Sequence, residues 1–345
     1  MKELAERLTR THRLDAAGYH TLLAECDDTT LALLRDYAVR TAHTQFGRGI
    51  YVRGLIEVGS VCRNDCLYCG LRRSNTQAER YRLSDEQILE CCREGYAAGF
   101  RTFVLQGGED AVWSDVRLVA LIRQIKEECE GAAVTLSLGE RSRESYEVLR
   151  QAGADRYLLR HEAADKALYE SLHPSDMLWE RRMKCISDLK ELGFQTGVGM
   201  MVGVPGQTVE SLVEDLLFME RINPEMIGIG PFIPHRNTPL GEHSAGSLRM
   251  TLLLVSVVRL MFPQALIPAT TALATLAPNG RREGILSGAN VVMPNLSPRS
   301  VRSKYAIYEG KASSGSEAAE GLAQLEQELN EIGYHVDYAR GDFER

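Results

Sequence analysis

Between residues 50 and 293, short runs rich in β-branched residues alternate with segments of helical periodicity, and no other feature of the chain restricts its fold so tightly. Strands are predicted near 50–58, 101–106, 133–137, 155–160, 195–201, 226–230, 265–269 and 289–293. Helices are predicted near 84–98, 113–130, 142–152, 177–192, 208–222, 247–262 and 280–287. A helix between successive strands returns the chain to the end where the last strand began. Neighbouring strands therefore run parallel, and eight such units are the number that closes a sheet on itself. The expected fold is α/β, a complete (β/α)8 barrel of the TIM type, with a doubly wound open sheet as the alternative. Residues 1–49 read as an N-terminal helical extension. Residues 315–331 read as a closing C-terminal helix with Leu322, Leu325 and Leu329 on one face, after a Gly/Ser-rich linker at 310–315. The expected divisions are 1–49, a barrel over 50–311, and a helical tail over 312–345 packed on the barrel.

Composition narrows the partners. The 345 residues carry 40 basic and 47 acidic side chains, a net charge of −7, with no long Lys/Arg block, which argues against nucleic acid or an anionic membrane and for a small molecule. The most continuous apolar stretch, 252–262, is broken by Ser256 and Arg259 and is far shorter than the roughly 20 residues a bilayer requires. The N-terminus lacks the apolar core of a signal peptide, so a cytoplasmic protein is expected. Of the eight cysteines, three fall within eight residues, and in a reducing compartment such a cluster points to metal rather than disulfides.

That cluster, Cys62, Cys66 and Cys69, follows the first predicted strand in a C-x3-C-x2-C spacing. Three thiolates this close on one loop can wrap one face of a cubane iron–sulfur cluster, because soft sulfur suits iron and the short spacers let the backbone curl. The next cysteine, Cys91, lies inside a predicted helix, which leaves one iron open for an external ligand. A zinc site missing one ligand, or three unrelated core cysteines, are the plain alternatives. The spacing, with an aromatic residue before the third cysteine, resembles the radical S-adenosylmethionine (SAM) superfamily. The resemblance implies an open iron that chelates the methionine moiety of SAM, reductive cleavage to a 5′-deoxyadenosyl radical, and adenine contact at Tyr68.

Barrel active sites gather where strands end. The second strand ends in Gln106-Gly107-Gly108-Glu109, matching the superfamily's GGE motif, for which the resemblance implies binding of the methionine amino group. Thr135 and Ser137 close the third strand. Alternation along Arg156-Tyr157-Leu158-Leu159-Arg160-His161-Glu162 places Arg156, Arg160 and Glu162 on one face, and turns His161 to the other as a structural residue. A buried Arg–Glu pair is the plain reading of that face; a zwitterion with a ribose needs both kinds of partner. By resemblance Glu162 contacts SAM, and Arg181 is its carboxylate partner with Arg182 as the adjacent competitor. The glycine-rich run after the fifth strand, with Met201, lacks the lysine of a nucleotide-triphosphate loop and by resemblance packs against adenine and ribose, with core packing as the rival reading.

Later segments are more specific. Cys69-Gly70-Leu71-Arg72, Leu159-Arg160-His161-Glu162, Met226-Ile227-Gly228-Ile229-Gly230-Pro231-Phe232, Ile267-Pro268-Ala269-Thr270-Thr271 and Asn290-Val291-Val292-Met293-Pro294 together resemble the HydE family of FeFe-hydrogenase maturases, relatives of biotin synthase and methylornithine synthase. The likeness implies an organometallic or amino-acid-derived substrate, an iron–carbonyl–cyanide–cysteine complex, deeper in the barrel. Thr270, Thr271, Met293, Tyr305 and Tyr308 would line that inner cavity, with Arg156 as an anion partner at its floor. It further implies an external one-electron reductant, HydG as the source of substrate and HydF as the downstream scaffold. No cysteine follows Cys185, so a single cluster and no auxiliary one is expected, which also weighs against biotin synthase. The remaining readings are a methylornithine-synthase-like mutase, a HydE-like enzyme repurposed for another substrate, and a non-enzymatic iron–sulfur carrier. The last would need neither the GGE turn nor charged groups at strand ends.

Overall fold

The computed structural model describes residues 1–312, 317 and 319–344. After three helices, α1 (Lys2–Thr11), α2 (Ala16–Glu25) and α3 (Asp28–Phe46), the chain enters the alternating region. Six parallel strands form one sheet in sequence order: β2 (Gly54–Gly59), β3 (Thr102–Gly107), β4 (Ala133–Ser137), β5 (Arg156–Leu158), β6 (Gln195–Val202) and β7 (Met226–Pro231). Helices α4 (Asp85–Ala97), α5 (Asp115–Glu128), α6 (Arg143–Gln151), α8 (Trp179–Glu191) and α9 (Val209–Ile222) follow β2 to β6 and cover the sheet's outer face, while α10 (Leu248–Met261) follows β7 and packs on α3. These helices start where polar residues allow. Ser84, Ser114, Ser142, Thr208 and Ser247 each accept a hydrogen bond from the third residue beyond, a cap that contributes about 1 kcal/mol.

The α/β architecture is as read from the sequence, but the regular sheet stops at six strands. The first expected strand breaks at Arg53. Its first half, β1 (Gly49–Val52), pairs instead with β8 (Val291–Val292) and with β9 (His335–Asp337) in a separate three-stranded parallel sheet. The strand expected at 265–269 is reduced to single bridges, Met226 to Leu266 and Pro268 to Val291, because Pro268 has no N–H to donate to a ladder. A third single bridge joins Leu55 to Asn295.

Additional helices α7 (Lys166–Leu172), α11 (Thr271–Leu276), α12 (Gly280–Ile285) and α13 (Arg299–Arg302) fill the connections. The closing helix is shorter than expected, α14 (Leu322–Asn330), and residues 315, 316 and 318 of the expected span lie outside the described residues. Nor is the tail helical throughout, since β9 and an irregular run to Phe343 complete it. No helix among the described residues is long and apolar enough to cross a membrane.

Strand register fixes what faces inward. Glu57, Gln106 and Ser137 stand level across β2, β3 and β4, and Thr135, Arg156 and Gln195 stand level nearer the strand starts. On β6 and β7 the corresponding positions include Gly197, Gly199, Gly228 and Gly230; a Cβ on Gly197 would stand 2.7 Å from Leu158 Cδ1 and one on Gly199 2.0 Å from Gly228 O, so glycine there allows close packing. Of the four, Gly230 lines the hollow beside the cysteine loop.

Candidate active site

The loop after β2 is shaped by one carboxylate and one guanidinium. Asp65 accepts from Arg72 Nε at 2.8 Å, Ser74 N at 3.0 Å and Ser74 Oγ at 2.6 Å, and the Arg72 bond above all holds its carboxyl well below the usual range. Arg80 donates to four backbone carbonyls, of Ser60 at 2.6 Å, Leu71 at 2.9 Å, Arg72 at 2.8 Å and Asn75 at 3.1 Å. The result is a tight curl carrying Cys62, Cys66 and Cys69, all free and half-buried. Burial pushes the three thiols up, Cys69 to about 12, so each keeps its proton until a cationic partner replaces it. The end of β3 comes very close. A Cβ on Gly108 would stand 2.5 Å from Val61 O and 2.6 Å from Cys62 Cβ, which only glycine avoids.

Cys66, Tyr68 and Cys69 face a cavity of about 260 Å³ completed by Arg160, Glu162, Met201, Gly230, Thr270 and Tyr308 among others. Past Leu158 the chain leaves strand geometry: Glu162 sits at φ 64°, a left-handed conformation costly for a non-glycine residue, and is held by its N–H to Gly199 O at 3.0 Å. The strain turns its carboxylate toward Arg160 Nη2, 3.3 Å away. Among the described residues, buried Arg160 Nε and Thr135 Oγ1 have no hydrogen-bond partner, and Arg160 Nη2 and Glu162 Oε2 have their mutual ion-pair contact but no well-aligned hydrogen bond. Buried polar groups are rarely left so, and a ligand bearing both an ammonium and a carboxylate satisfies them.

His161 is structural, as expected. It is fully buried on the opposite side, with Nε2 3.1 Å from Asp215 Oδ1 and Nδ1 accepting from Gly199 N at 3.3 Å.

The other expected site residues are distributed less simply. Glu109 binds the cysteine loop itself. Its Oε2 accepts from Arg63 Nε at 3.1 Å and Nη2 at 2.9 Å, and its Oε1 from Glu140 N at 2.8 Å. It therefore faces a second, outer pocket of about 410 Å³ that also includes Arg181. Between the two candidate arginines the geometry is one-sided. Among the described residues Arg181 pairs with Glu140 alone, at 3.2 Å, and its side chain is 53% exposed, whereas buried Arg182 is committed to Glu140 Oε1 and to Arg160 O, each at 2.7 Å. Ser137 lies on the inner face of β4, one layer above Thr135.

Four expectations need correction. Arg156 does share the inward face with Arg160, but it stands at the start of β5, at the opposite end of the strand from the cavity. There it donates to Asp342 Oδ1 at 2.7 Å, Gly341 O at 2.9 Å and Thr102 Oγ1 at 3.0 Å, so the C-terminal tail takes the role assigned to a bound anion. Thr271 donates to Glu317 at 3.0 Å, and Met293 packs on Met226, Leu266 and Val291, because both follow the irregular connections that replace the last strands. Tyr305 is buried beside Lys311, whose Nζ lies 5.5 Å from its ring, rather than on the cavity wall. Thr270 and Tyr308 do reach the cavity.

Several braces were not anticipated. Arg80, Arg63, Glu140 and His173 belong to no strand-end motif. Glu57 did have a visible signal, as a charge inside the otherwise apolar run Gly54-Leu55-Ile56-Glu57-Val58-Gly59; it pairs with Lys311 Nζ at 2.6 Å and Asn295 Nδ2 at 2.9 Å.

Comparison with known proteins matches this arrangement. Residues 56–219 match the family model described as the Radical SAM superfamily. The chain is 48% identical over 265 residues to the FeFe hydrogenase maturase subunit HydE of Thermotoga maritima, covering 77% of this chain and 75% of that protein. It is 29% identical over 294 residues to 3-methylornithine synthase of Methanosarcina acetivorans, 85% of this chain and 82% of that one. Among solved structures, methylornithine synthase PylB superposes with a TM-score of 0.86 at 28% identity, over 99% of this chain and 98% of that one. The chain belongs to the HydE family of FeFe-hydrogenase maturases, within the radical SAM superfamily.

Proposed function

We propose that Cys62, Cys66 and Cys69 hold one 4Fe–4S cluster with its fourth iron left to SAM, and that the enzyme acts on an iron–carbonyl–cyanide–cysteine substrate during assembly of the hydrogenase two-iron subcluster. The observation that carries this reading is the shared cavity: a three-cysteine loop on one wall, and on another an Arg160–Glu162 pair with unpartnered polar atoms. The donor set fits a cubane, in which each thiolate binds a different iron. Among the described residues no trio of His, Cys, Asp or Glu is grouped to share a single ion. When bound, the reduced cluster and SAM supply a 5′-deoxyadenosyl radical.

The protein's own contribution is positioning and exclusion of water. Gly107, Gly108 and Glu109 at the end of β3 would hold the SAM ammonium, Glu162 would contact SAM from the end of β5, and exposed Arg181 would be the partner of its carboxylate. Tyr68 and Met201 wall the adenosine; Thr135, Ser137 and Arg160 supply polar partners on the inner side. Thr270 and Tyr308 face the substrate. A strap over 305–311 covers the mouth. Gly70 donates to Ile307 O at 2.9 Å, Glu309 to Pro234 O at 3.1 Å, and Lys311 anchors the strap on Glu57.

In this reading a one-electron reductant acts from outside, HydG supplies the substrate and HydF receives the product. The eight β/α units make a complete barrel over 50–311, with 1–49 bracing it and the described tail, 319–344, closing its lower end. The single bridges at Leu266, Pro268 and Asn295 support that closure. Adding the purified protein to a maturation mixture lacking HydE tests the assignment: hydrogenase activity should return. If it does not, while 5′-deoxyadenosine still forms from SAM, the substrate assignment fails. The fold likeness to PylB favours a lysine mutase as the second reading, and methylornithine formed from lysine would establish it instead.

A further inference from the structure

The cavity has two working walls, the cysteine loop and the end of β5, and a column of buried side chains runs between them. At one end the Tyr68 hydroxyl lies 3.1 Å from His173 Nε2. His173 Nδ1 lies 2.8 Å from the carbonyl of Tyr169, so Nδ1 carries the proton and Nε2 is left as the acceptor for the phenol. The Tyr169 ring stacks on the imidazole at 4.0 Å and 23°. Beyond it Arg182 Cζ stands 5.7 Å from the Tyr169 ring, with Nη1 donating to the carbonyl of Arg160. Each member except Tyr68 is buried. The same segment grips the loop twice more, Leu67 N donating to Leu172 O at 2.9 Å and Cys66 Sγ lying 3.7 Å from Met177 Sδ.

Resting on the cofactor pocket described above, we propose that His173 is a positioning residue for SAM. It fixes Tyr68 between the two cluster cysteines and, through Tyr169 and Arg182, sets the separation between that loop and the Arg160–Glu162 pair. His173 touches neither SAM nor cluster; it acts through the phenol. The hydrogen bond has a directional signature that packing alone lacks. Tyr68→Phe removes the donor and keeps the ring, His173→Phe removes the acceptor and keeps the stack, and His173→Gln returns an acceptor oxygen close to the Nε2 position.

The test is SAM titration of the anaerobically reconstituted proteins, read from the change in the reduced cluster's electron paramagnetic resonance signal and normalised to iron content. Tyr68→Phe and His173→Phe should each weaken SAM binding about tenfold at wild-type iron content. The double variant should be no weaker than either single one, and His173→Gln should recover most of the loss. Wild-type affinity in Tyr68→Phe, or losses that add in the double variant, overturns the proposal. If His173→Phe does not fold, Tyr68→Phe and His173→Gln decide alone. A wild-type cluster that ignores SAM overturns the pocket assignment instead, so the two failures are told apart.

Discussion

Lys311→Met removes one member of a deeply buried ion pair near the site. Lys311 Nζ lies 2.6 Å from Glu57 Oε1, with side chains 8% and 0% exposed. At that separation and an effective dielectric constant near 20, two unit charges attract by about 6 kcal/mol, and desolvation of both offsets much of it. The pair's net value is therefore small, but deleting one partner leaves the buried Glu57 carboxyl without its counter-charge, the Asn295 amide being its remaining side-chain hydrogen bond among the described residues, a change that costs about 3–5 kcal/mol. Unfolding entropy of about 2.1 cal/mol/K per residue converts this, over 345 residues, into a fall in Tm of about 4–7 °C. Scanning calorimetry on the anaerobic protein measures it. Glu57→Gln combined with Lys311→Met removes both charges and should recover part of the loss. A Tm for Lys311→Met within about 1 °C of wild type, or a double variant as unstable as the single, refutes the reasoning. The strap should also become a preferred site of limited proteolysis in Lys311→Met, because its deepest anchor is gone.

Other consequences are as direct. Arg80→Ala frees four carbonyls of the cysteine loop, each charge-assisted bond contributing roughly 1.5–3 kcal/mol, so iron should leave the variant at least tenfold faster under a chelator and its Tm should fall by at least about 5 °C. Gly108→Ala pushes a methyl group into Val61 and Cys62; reconstituted iron per chain should drop below half of wild type, and full loading would contradict the close approach. His173 is held down to about 3, chiefly by burial and then by Arg182, so it is neutral when folded and titrates near 6.5 when unfolded. The unfolded chain binds the extra proton between those values, and stability therefore falls as pH drops from about 6.5 toward 3, by up to about 1.4 kcal/mol per pH unit for this group. The Tm of His173→Gln should fall less between pH 6.5 and 5; equal falls in both proteins would contradict the assignment.

What the sequence showed and what it hid divide along physical lines. The alternation of periods located β2 to β7 and their helices, because a parallel strand buried on both faces is an apolar run between capped helices. The last quarter of the sheet was not legible. Pro268 and Pro294 interrupt it, and Arg53 splits the first strand, so pairing there depends on long-range contacts with β9 that no local pattern announces. Site residues followed the same rule. Cys62, Cys66, Cys69, Gly108, Arg160 and Glu162 stand in short motifs at strand ends, where alternation and spacing define position. Arg156 obeyed the alternation yet lay at the wrong end of the strand, since period two gives the face and not the height. His173 and Arg80 brace the loop from sequence distances that follow only from the folded chain.

Electron paramagnetic resonance of the dithionite-reduced, reconstituted protein before and after SAM addition tests most directly whether the cysteine loop presents a cluster with one iron open to SAM. About four irons per chain, a reduced 4Fe–4S signal, and a clear change in its g values on adding SAM are the predicted result. A signal that SAM leaves untouched, or a protein that retains no iron after reconstitution, contradicts it.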